Sequence, residues 1–419
     1  MGNELERAQM LTKKRWVILV VSCLINLCIG SMYAWSVFSG PMAEYINGIK
    51  GTALTSGSMA IVFSIANGLS PVALISGGTV NDRFGPKWLV FFGGLIFGGG
   101  LFASGFTSSV TGLIFTYGVF GALGMGFVYG CTVSNCVKFF PDRRGLIGGI
   151  TTAFYGLSSV IIPPIARALI DSVGITSTFK IIGIAFVVII CAGAFFMEQC
   201  PVNFAPVGWT PPAVKKNSEV AEDKNWKGML KSPIFYVMIL MLLCGANFGM
   251  MVISQASSVA QDVAGMTLAS ATIVVSVLAL FNGAGRVIAG YISDKIGRIN
   301  TLTVMLVLAI AALLLLYFCP VGGFVQFYIG IALVGICFGS FMGVYPGFTA
   351  DQFGAKNNSV NYGIMFIGFA LAGLLGPMIM SSVYSSSGSY APAFLIAVGL
   401  AVVGLVLSCV YRVMLKKQK

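Results

Sequence analysis

The 419-residue chain contains no histidine. This excludes a metal site built on histidine and a proton relay that runs through histidine. Ten cysteines are present, but they form no CxxC pair and no other spacing typical of metal ligands. Most of them lie in or beside apolar segments, where a free cysteine packs as a small hydrophobic residue. We therefore expect no disulfide framework, no metal, no cofactor and no catalytic centre in this chain.

Charged residues are also scarce. They make up 9% of the chain, whereas 57% of its residues are hydrophobic and the mean hydropathy is +0.93. Soluble globular proteins carry roughly 25% charged residues. Apolar runs of about 20 residues recur along the whole chain, and each can cross a hydrocarbon core of about 30 Å as a helix. The composition therefore predicts an all-α membrane protein with many spans.

The apolar runs predict twelve transmembrane helices, with edges uncertain by a few residues. Their ranges are about 16–38, 56–78, 88–107, 110–133, 146–170, 178–198, 233–257, 268–292, 301–319, 323–346, 361–385 and 391–412. The one long polar interruption, 199–232, is the predicted cytoplasmic linker. It divides the chain into an N-terminal six-helix half, 1–198, and a C-terminal six-helix half, 233–419.

The distribution of basic residues predicts the orientation in the membrane. With the N-terminus in the cytoplasm, all but four of the 25 lysines and arginines fall in cytoplasmic segments, the four being Lys50, Lys180, Arg167 and Arg286. Cytoplasmic loops of membrane proteins carry such an excess. The net charge of +12 is thus a topology signal that faces anionic lipid, and we do not expect a nucleic acid partner. The prediction is a multi-pass protein of the inner (plasma) membrane with both termini cytoplasmic.

A loop signature with the spacing G-x-x-x-D-[RK]-x-G occurs once in each half. It consists of Gly78, Asp82, Arg83 and Gly85 after the second span, and of Gly290, Asp294, Lys295 and Gly297 after the eighth. These copies are 212 residues apart, and later pairs such as Gly126 and Gly339 are 213 apart. The glycines permit tight turns, and the aspartates can face helix N-termini. We expect the loops to hold one conformation and to release another.

The repeated loop, the twelve spans and the charged linker resemble the major facilitator superfamily, over the whole chain. This resemblance implies two six-helix halves related as parallel repeats, with a substrate site between them near the membrane midplane. It also implies alternating access by rocking of the halves. A monomer is the usual state of this fold.

Four shorter stretches resemble the oxalate/formate antiporter family, which lies close to the bacterial monocarboxylate porters. They are 129–145, Asn361-Tyr362-Gly363, Phe281-Asn282-Gly283 followed by Arg286, and Met32-Tyr33-Ala34-Trp35-Ser36. The resemblance implies a small carboxylate as the substrate, and it places Arg286 at the family's carboxylate-binding arginine.

The residues around Arg286 agree with that role. An arginine inside an apolar span is costly and is usually functional, and its planar fork of donors matches a carboxylate. The alternative is an ion pair between helices, but no Asp or Glu lies in the core of a predicted span. Asn282 lies one turn before Arg286 on the same helical face. Monocarboxylate porters commonly carry an aspartate there, and an asparagine cannot take up its proton.

The resemblance also implies aromatic residues that line the anion cavity. They are Tyr33, Tyr129, Tyr155, Phe341, Phe366 and Phe369. Helix packing is the alternative explanation for each of them. Oxalate exchangers of the family have a second cation, a lysine, at the position of Phe369. Because two carboxylates call for two cations, Phe369 favours a monocarboxylate such as lactate, pyruvate, acetate or formate.

The predicted function is secondary active transport of a small monocarboxylate, as a proton-linked symporter or an anion exchanger. Asp262, near the outer end of the seventh span, is a candidate proton acceptor; the alternative is an ordinary solvated helix-end residue. Two other functions stay open. They are an oxalate/formate-type dicarboxylate exchanger and a carboxylate sensor of the same fold that does not transport. No nucleotide-binding motif accompanies the spans, so this chain is not a primary pump.

Overall fold

The computed structural model describes residues 2–55, 58–201, 204–210 and 223–417, and the regular structure in these ranges is helical. The helices are α1 (Gly2–Ile29), α2 (Trp35–Lys50), α3 (Ala60–Phe84), α4 (Pro86–Ser104), α5 (Val110–Leu113), α6 (Phe120–Phe139), α7 (Arg144–Val173), α8 (Ile175–Ala194), α9 (Trp226–Leu230), α10 (Pro233–Ala264), α11 (Leu268–Ile296), α12 (Arg298–Tyr317), α13 (Phe324–Phe353), α14 (Asn358–Met365), α15 (Ile367–Ser387) and α16 (Ala391–Lys417).

Within the described residues, twelve segments are long and apolar enough to cross a membrane. Three of them are built from more than one helix. A 3₁₀ segment, Gly30–Ala34, joins α1 to α2 in the first span, and a π-helical segment, Ile114–Val119, joins α5 to α6 in the fourth. The eleventh span consists of α14 and α15. The predicted all-α membrane fold with twelve spans is confirmed.

The chain forms two compact units. Unit 1 comprises the described residues of 1–142, 154–210 and 356–364, and unit 2 comprises those of 143–153, 211–355 and 365–419. The first turns of α7 therefore belong to unit 2, and most of α14 belongs to unit 1. Division of the chain at 1–198, 199–232 and 233–419 stays a prediction, and the linker residues 202–203 and 211–222 lie outside the described ranges.

Small residues bring the helices of unit 1 into close contact. A Cβ at Gly93 of α4 would lie 2.7 Å from the Val128 side chain of α6, and a Cβ at Gly124 of α6 would lie 2.7 Å from the Gly93 carbonyl oxygen. Nothing larger than glycine fits at these crossings. Packing through small residues is a principal means of helix association in a membrane, where apolar lipid removes the hydrophobic drive between helices.

In unit 2, glycines likewise allow α11 to pack closely against α13. A Cβ at Gly335 of α13 would lie 2.9 Å from the Leu278 carbonyl oxygen, and side chains at Gly339 and Gly343 would overlap the carbonyl oxygens of Asn282 and Arg286. The glycines lie four residues apart, so they form one face of α13. Backbone-to-backbone contact along this face fixes the position of α11 at the turns that carry Asn282 and Arg286.

The last glycine of each loop signature joins two helices. Gly85 (φ +83°) lies between α3 and α4, and Gly297 (φ +90°) lies between α11 and α12. A positive φ is costly for a residue with a side chain. The signature glycine therefore allows one span to end and the next to begin at the following residue.

Candidate functional site

Arg286 is buried inside unit 2, with 4% of its surface exposed. Its Nη1 donates to the carbonyl oxygen of Thr152 on α7 at 2.6 Å, and its Nε donates to Oδ1 of Asn282 at 3.2 Å. Both acceptors are neutral. Among the described residues, no carboxylate lies within ion-pair distance of this guanidinium.

These contacts leave most of the guanidinium's donors without a bond inside the described part of the chain. A guanidinium has five N–H donors and no acceptor, and two donors make the bonds to Thr152 and Asn282. A buried charge is stable only when it is paired and hydrogen-bonded. The arrangement therefore favours an anion beside Arg286.

Glycines of α7 allow Thr152 to reach Arg286. A side chain at Gly149 would overlap the Arg286 carbonyl oxygen, and one at Gly290 of α11 would overlap the Gly145 carbonyl oxygen. Thr152 was not among the residues predicted from the sequence, because a backbone acceptor has no residue-type signature. The spacing of Gly145 and Gly149, four residues apart, was the available signal for a close helix contact.

Asn282 orients Arg286 from the same face of α11. Its Oδ1 accepts the bond from Arg286 Nε, so the Asn282 amide group directs its NH₂ away from that bond. An NH₂ group is a donor, and the side chain is only half-buried. Asn282 can therefore add a neutral donor to the charged donors of Arg286 without introducing a competing negative charge.

The three predicted tyrosines come together in unit 1. The ring of Tyr155 lies 5.4 Å from Tyr33 and 4.8 Å from Tyr129, centroid to centroid. Tyr129 and Tyr155 are buried and Tyr33 is half-buried. Their edge-on and tilted contacts are typical of aromatic packing. The proposed contact of these tyrosines with the substrate stays a prediction.

The three predicted phenylalanines lie in unit 2, but not in one cluster. Phe369 packs against Phe366, with ring centroids 4.6 Å apart, and 6.3 Å from Phe338 of α13. Phe341 is fully buried and covers Gly245 of α10, where a Cβ would overlap its ring. Phe341 thus has a packing contact between α10 and α13, and its role in lining a cavity stays a prediction.

In unit 2, the loop aspartate Asp294 binds the start of α7. Its two carboxylate oxygens accept bonds from the backbone N–H groups of Gly145 and Leu146, each at 2.8 Å. These are among the unpaired donors at a helix N-terminus, where negative charge is stabilising. Asp294 also pairs with Arg298 at 2.6 Å.

Asp351, at the end of α13, extends this network. It pairs with Arg298 at 2.8 Å and with Arg144 at 2.8 Å. Arg298, Arg144 and Asp351 were not among the predicted site residues. The predicted residue Lys295 instead places its ammonium 4.4 Å from the ring centroid of Tyr291.

In unit 1, the loop aspartate that corresponds to Asp294 is Asp82. It pairs with Lys138 of α6 at 2.7 Å and accepts a bond from the backbone N–H of Val360, in the first turn of α14, at 3.3 Å. The first glycine of the signature, Gly78, faces the backbone of Ser359, with 2.7 Å to a Cβ placed there. Arg83 lies 5.2 Å above the ring of Phe84.

Asp262 has a structural task near the start of α16. One of its carboxylate oxygens accepts bonds from the Ser389 hydroxyl and from the backbone N–H of Tyr390, both at 2.8 Å. This use of its carboxylate agrees with a helix-end residue. Its role as a proton acceptor stays a prediction.

Comparison with known proteins places these features in a family context. A family model described as the Major Facilitator Superfamily matches residues 23–325. The chain is 30% identical to the uncharacterised MFS-type transporter YhjX of Escherichia coli (strain K12), over 86% of each protein. It is also 30% identical to the oxalate:formate antiporter of Oxalobacter formigenes, over 91% of this chain and 88% of that relative.

A solved structure supports the fold. The transporter FucP in its outward conformation superposes with a TM-score of 0.66, at 15% identity, over 95% of this chain and 99% of FucP. This likeness concerns the fold alone.

The contacts of Asp294 generate a testable prediction. In Asp294→Asn the charge is lost and one acceptor becomes a donor, so one of the two bonds to the start of α7 is lost. Hydrogen bonds to a charged group contribute about 1.5–3 kcal/mol, so amide hydrogen exchange in residues 143–153 should accelerate about tenfold or more. Exchange measured by mass spectrometry on the purified protein checks this.

The matched control is Asp171→Asn. Asp171 pairs with Arg167 in an exposed ion pair on the same helix, α7, and exposed pairs contribute little. Unchanged exchange at 143–153 in Asp294→Asn would contradict the role given to Asp294.

Proposed function

This chain belongs to the major facilitator superfamily, and from that premise we propose that it carries a small monocarboxylate anion across the membrane by alternating access. It is a multi-pass membrane transporter. The class of substrate, its single carboxylate and the residues that bind it are the proposal. Arg286 provides the charge that binds the anion, and Asn282 orients the guanidinium.

The proposal rests on which buried charged side chains have a partner of opposite charge. Among the described residues, two charged side chains are buried, Arg15 and Arg286. Arg15 pairs with Asp142 at 2.7 Å, whereas within the described part of the chain Arg286 bonds to a carbonyl oxygen and an amide oxygen and to no carboxylate. One buried guanidinium without a carboxylate partner calls for one negative charge, and its fork can bind a carboxylate through two parallel bonds.

A dicarboxylate is the second candidate, because the oxalate:formate antiporter is 30% identical to this chain. Two carboxylates would need a second cation near Arg286. Oxalate exchangers of the family that this chain resembles carry a lysine at the position of Phe369. In this chain Phe369 is buried and packs against Phe366 and Phe338. Its apolar surroundings support a substrate with one carboxylate.

The coupling of transport is also a proposal. Asn282, next to Arg286, cannot take up a proton, and this supports anion exchange at this site. A proton-linked symporter would need another acceptor, for which Asp262 is the candidate. We further propose a monomer in the inner membrane with both termini cytoplasmic, since nearly all basic residues then face the cytoplasm.

The first test measures uptake into liposomes that contain the purified protein. Labelled L-lactate, pyruvate, formate and oxalate are each offered with an imposed pH gradient, and again with the same anion preloaded inside. We expect uptake of a monocarboxylate. Arg286→Ala should lower it on the order of a hundredfold, because two charge-assisted bonds are lost; Arg286→Lys, which keeps the charge but not the fork, should lower it less.

Arg167→Ala is the matched control, since Arg167 pairs with Asp171 at the exposed surface. It should transport like the wild type. Uptake by Arg286→Ala at the wild-type level would contradict the proposed role of Arg286. Binding of these anions without uptake would favour a sensor, and uptake only into preloaded liposomes would establish an exchanger.

A second prediction concerns Asn282→Asp. The introduced carboxylate would lie 3.2 Å from Arg286 Nε, where the amide oxygen now accepts, and would compete with the substrate for the guanidinium. At neutral pH uptake should fall about tenfold. As the pH is lowered the introduced carboxyl takes up a proton and stops competing, so uptake should recover.

The control for this variant is Asn282→Leu, which removes the amide without adding a charge. Its uptake should be reduced to a similar extent at every pH. A pH dependence equal in the two variants would show that the introduced carboxylate does not act on Arg286.

A third prediction tests the choice between one carboxylate and two. Phe369→Lys supplies a second cation, so oxalate uptake relative to formate should rise about tenfold, as expected for one added charge-assisted bond. Phe369→Met removes the ring without adding charge and should leave the ratio unchanged. Efficient oxalate exchange by the wild-type protein would refute the argument from Phe369.

A further inference from the structure

A cluster of exposed aromatic rings lies on the outside of unit 1, where α4 begins and α8 ends. Trp88 is 54% exposed and Phe195, directly after α8, is 58% exposed. Phe91 bridges them, with ring centroids 5.9 Å from Trp88 and 5.8 Å from Phe195. With Lys87 and Ala194 these rings line a shallow groove that is too narrow to hold a water molecule. An exposed tryptophan at a span end is typical of the membrane interface.

Lys87 places a positive charge directly over this groove. Its Nζ lies 5.0 Å from the ring centroid of Phe195 and 5.6 Å from that of Trp88. No carboxylate of the described residues pairs with Lys87. The ammonium is therefore held in place by aromatic rings, and its charge remains available to an anion that approaches from the side of the lipid.

A second groove follows along the same two helices. It has a volume of about 170 Å³ and is lined by Gly99 and Phe102 of α4 and by Ile184, Val187 and Val188 of α8. All of its lining residues are apolar. Gly99 leaves this space open, because even a Cβ built there would meet no other atom within 4 Å.

The two grooves lie on one seam. Positions 88, 91, 95, 99 and 102 recur every three or four residues on α4, and positions 184 and 188 are four residues apart on α8, so each set shares one helical face. Phe195 follows seven residues after Val188, just past the end of α8. Twelve residues separate Lys87 from Gly99, which corresponds to about 18 Å along a helix. One leaflet of a bilayer contributes about 15 Å of hydrocarbon.

We propose that the seam between α4 and α8 binds an anionic phospholipid of one leaflet. Its headgroup phosphate contacts Lys87 beside Trp88 and Phe195, and one of its acyl chains fills the groove at Gly99. The charge of Lys87 selects an anionic headgroup over a zwitterionic one, and the matching length of seam and leaflet selects a phospholipid over a free anion. Basic pockets between membrane helices are known to hold such headgroups.

Trp88 offers a direct readout of this lipid. The purified full-length protein is reconstituted in phosphatidylcholine vesicles that contain either phosphatidylglycerol or additional phosphatidylcholine with brominated acyl chains, which quench tryptophan by contact. The difference between the wild type and Trp88→Phe isolates the signal of Trp88. We expect brominated phosphatidylglycerol to quench Trp88 at about fivefold lower concentration than brominated phosphatidylcholine, the size expected for one lysine at an anionic surface.

Two variants separate the headgroup from the acyl chain. In Lys87→Gln the preference for phosphatidylglycerol should disappear. In Gly99→Leu the added side chain occupies the groove, and its Cβ meets no other atom of the protein within 4 Å, so quenching by both brominated lipids should weaken while the preference remains.

The chain provides matched controls for both variants. Lys180, at the other end of α8, lies 4.0 Å above the ring of Phe106, and Gly399 of α16 is a second glycine with open space around it. Lys180→Gln and Gly399→Leu should behave like the wild type. Equal quenching of the wild type by the two lipids, or a preference that persists in Lys87→Gln, would overturn the proposal.

Discussion

The cost of keeping the positive charge of Arg286 inside an apolar span governs the architecture of unit 2. An arginine in this position must be hydrogen-bonded by other groups, since lipid tails supply no acceptors. The chain provides a carbonyl oxygen of α7 and an amide oxygen of α11. Both are neutral, so the charge is hydrogen-bonded but not cancelled. The ligand that we propose, with one negative charge, would complete this environment.

The glycines of the surrounding helices are a consequence of that requirement. Thr152 can reach Arg286 only because α7 approaches α11 at Gly149, and α11 is also held by Gly339 and Gly343 of α13. Larger residues at these positions would push the helices apart and remove the acceptor. The glycine richness of the chain, which by itself says only that helices pack closely, thus determines where the charge is held.

The two units have similar but unequal contacts around their loop signatures. In each, a loop aspartate binds the start of a helix, Asp294 that of α7 and Asp82 that of α14. Asp294 also forms an ion pair with Arg298, and Asp82 forms one with Lys138. The contacts beside the aspartates differ: Arg298 also pairs with Asp351, whereas the amide of Asn81 donates to the hydroxyl of Ser359, at 2.7 Å. The repeat is also unequal at Arg286 itself, because the residue 212 positions earlier is Leu74, which is fully buried.

The sequence by itself determined the all-α membrane fold, the twelve spans, the repeated loops and the position of Arg286 inside a span. These follow from hydropathy and from residue type, which are local properties of the chain. The tertiary structure alone decided which acceptors surround Arg286, and that Arg298 and Lys138 pair with the loop aspartates while Lys295 and Arg83 lie over aromatic rings. It also decided that Phe341 covers Gly245. Such partners are distant along the chain, or are backbone atoms without a signature, and only the close packing of helices brings them together.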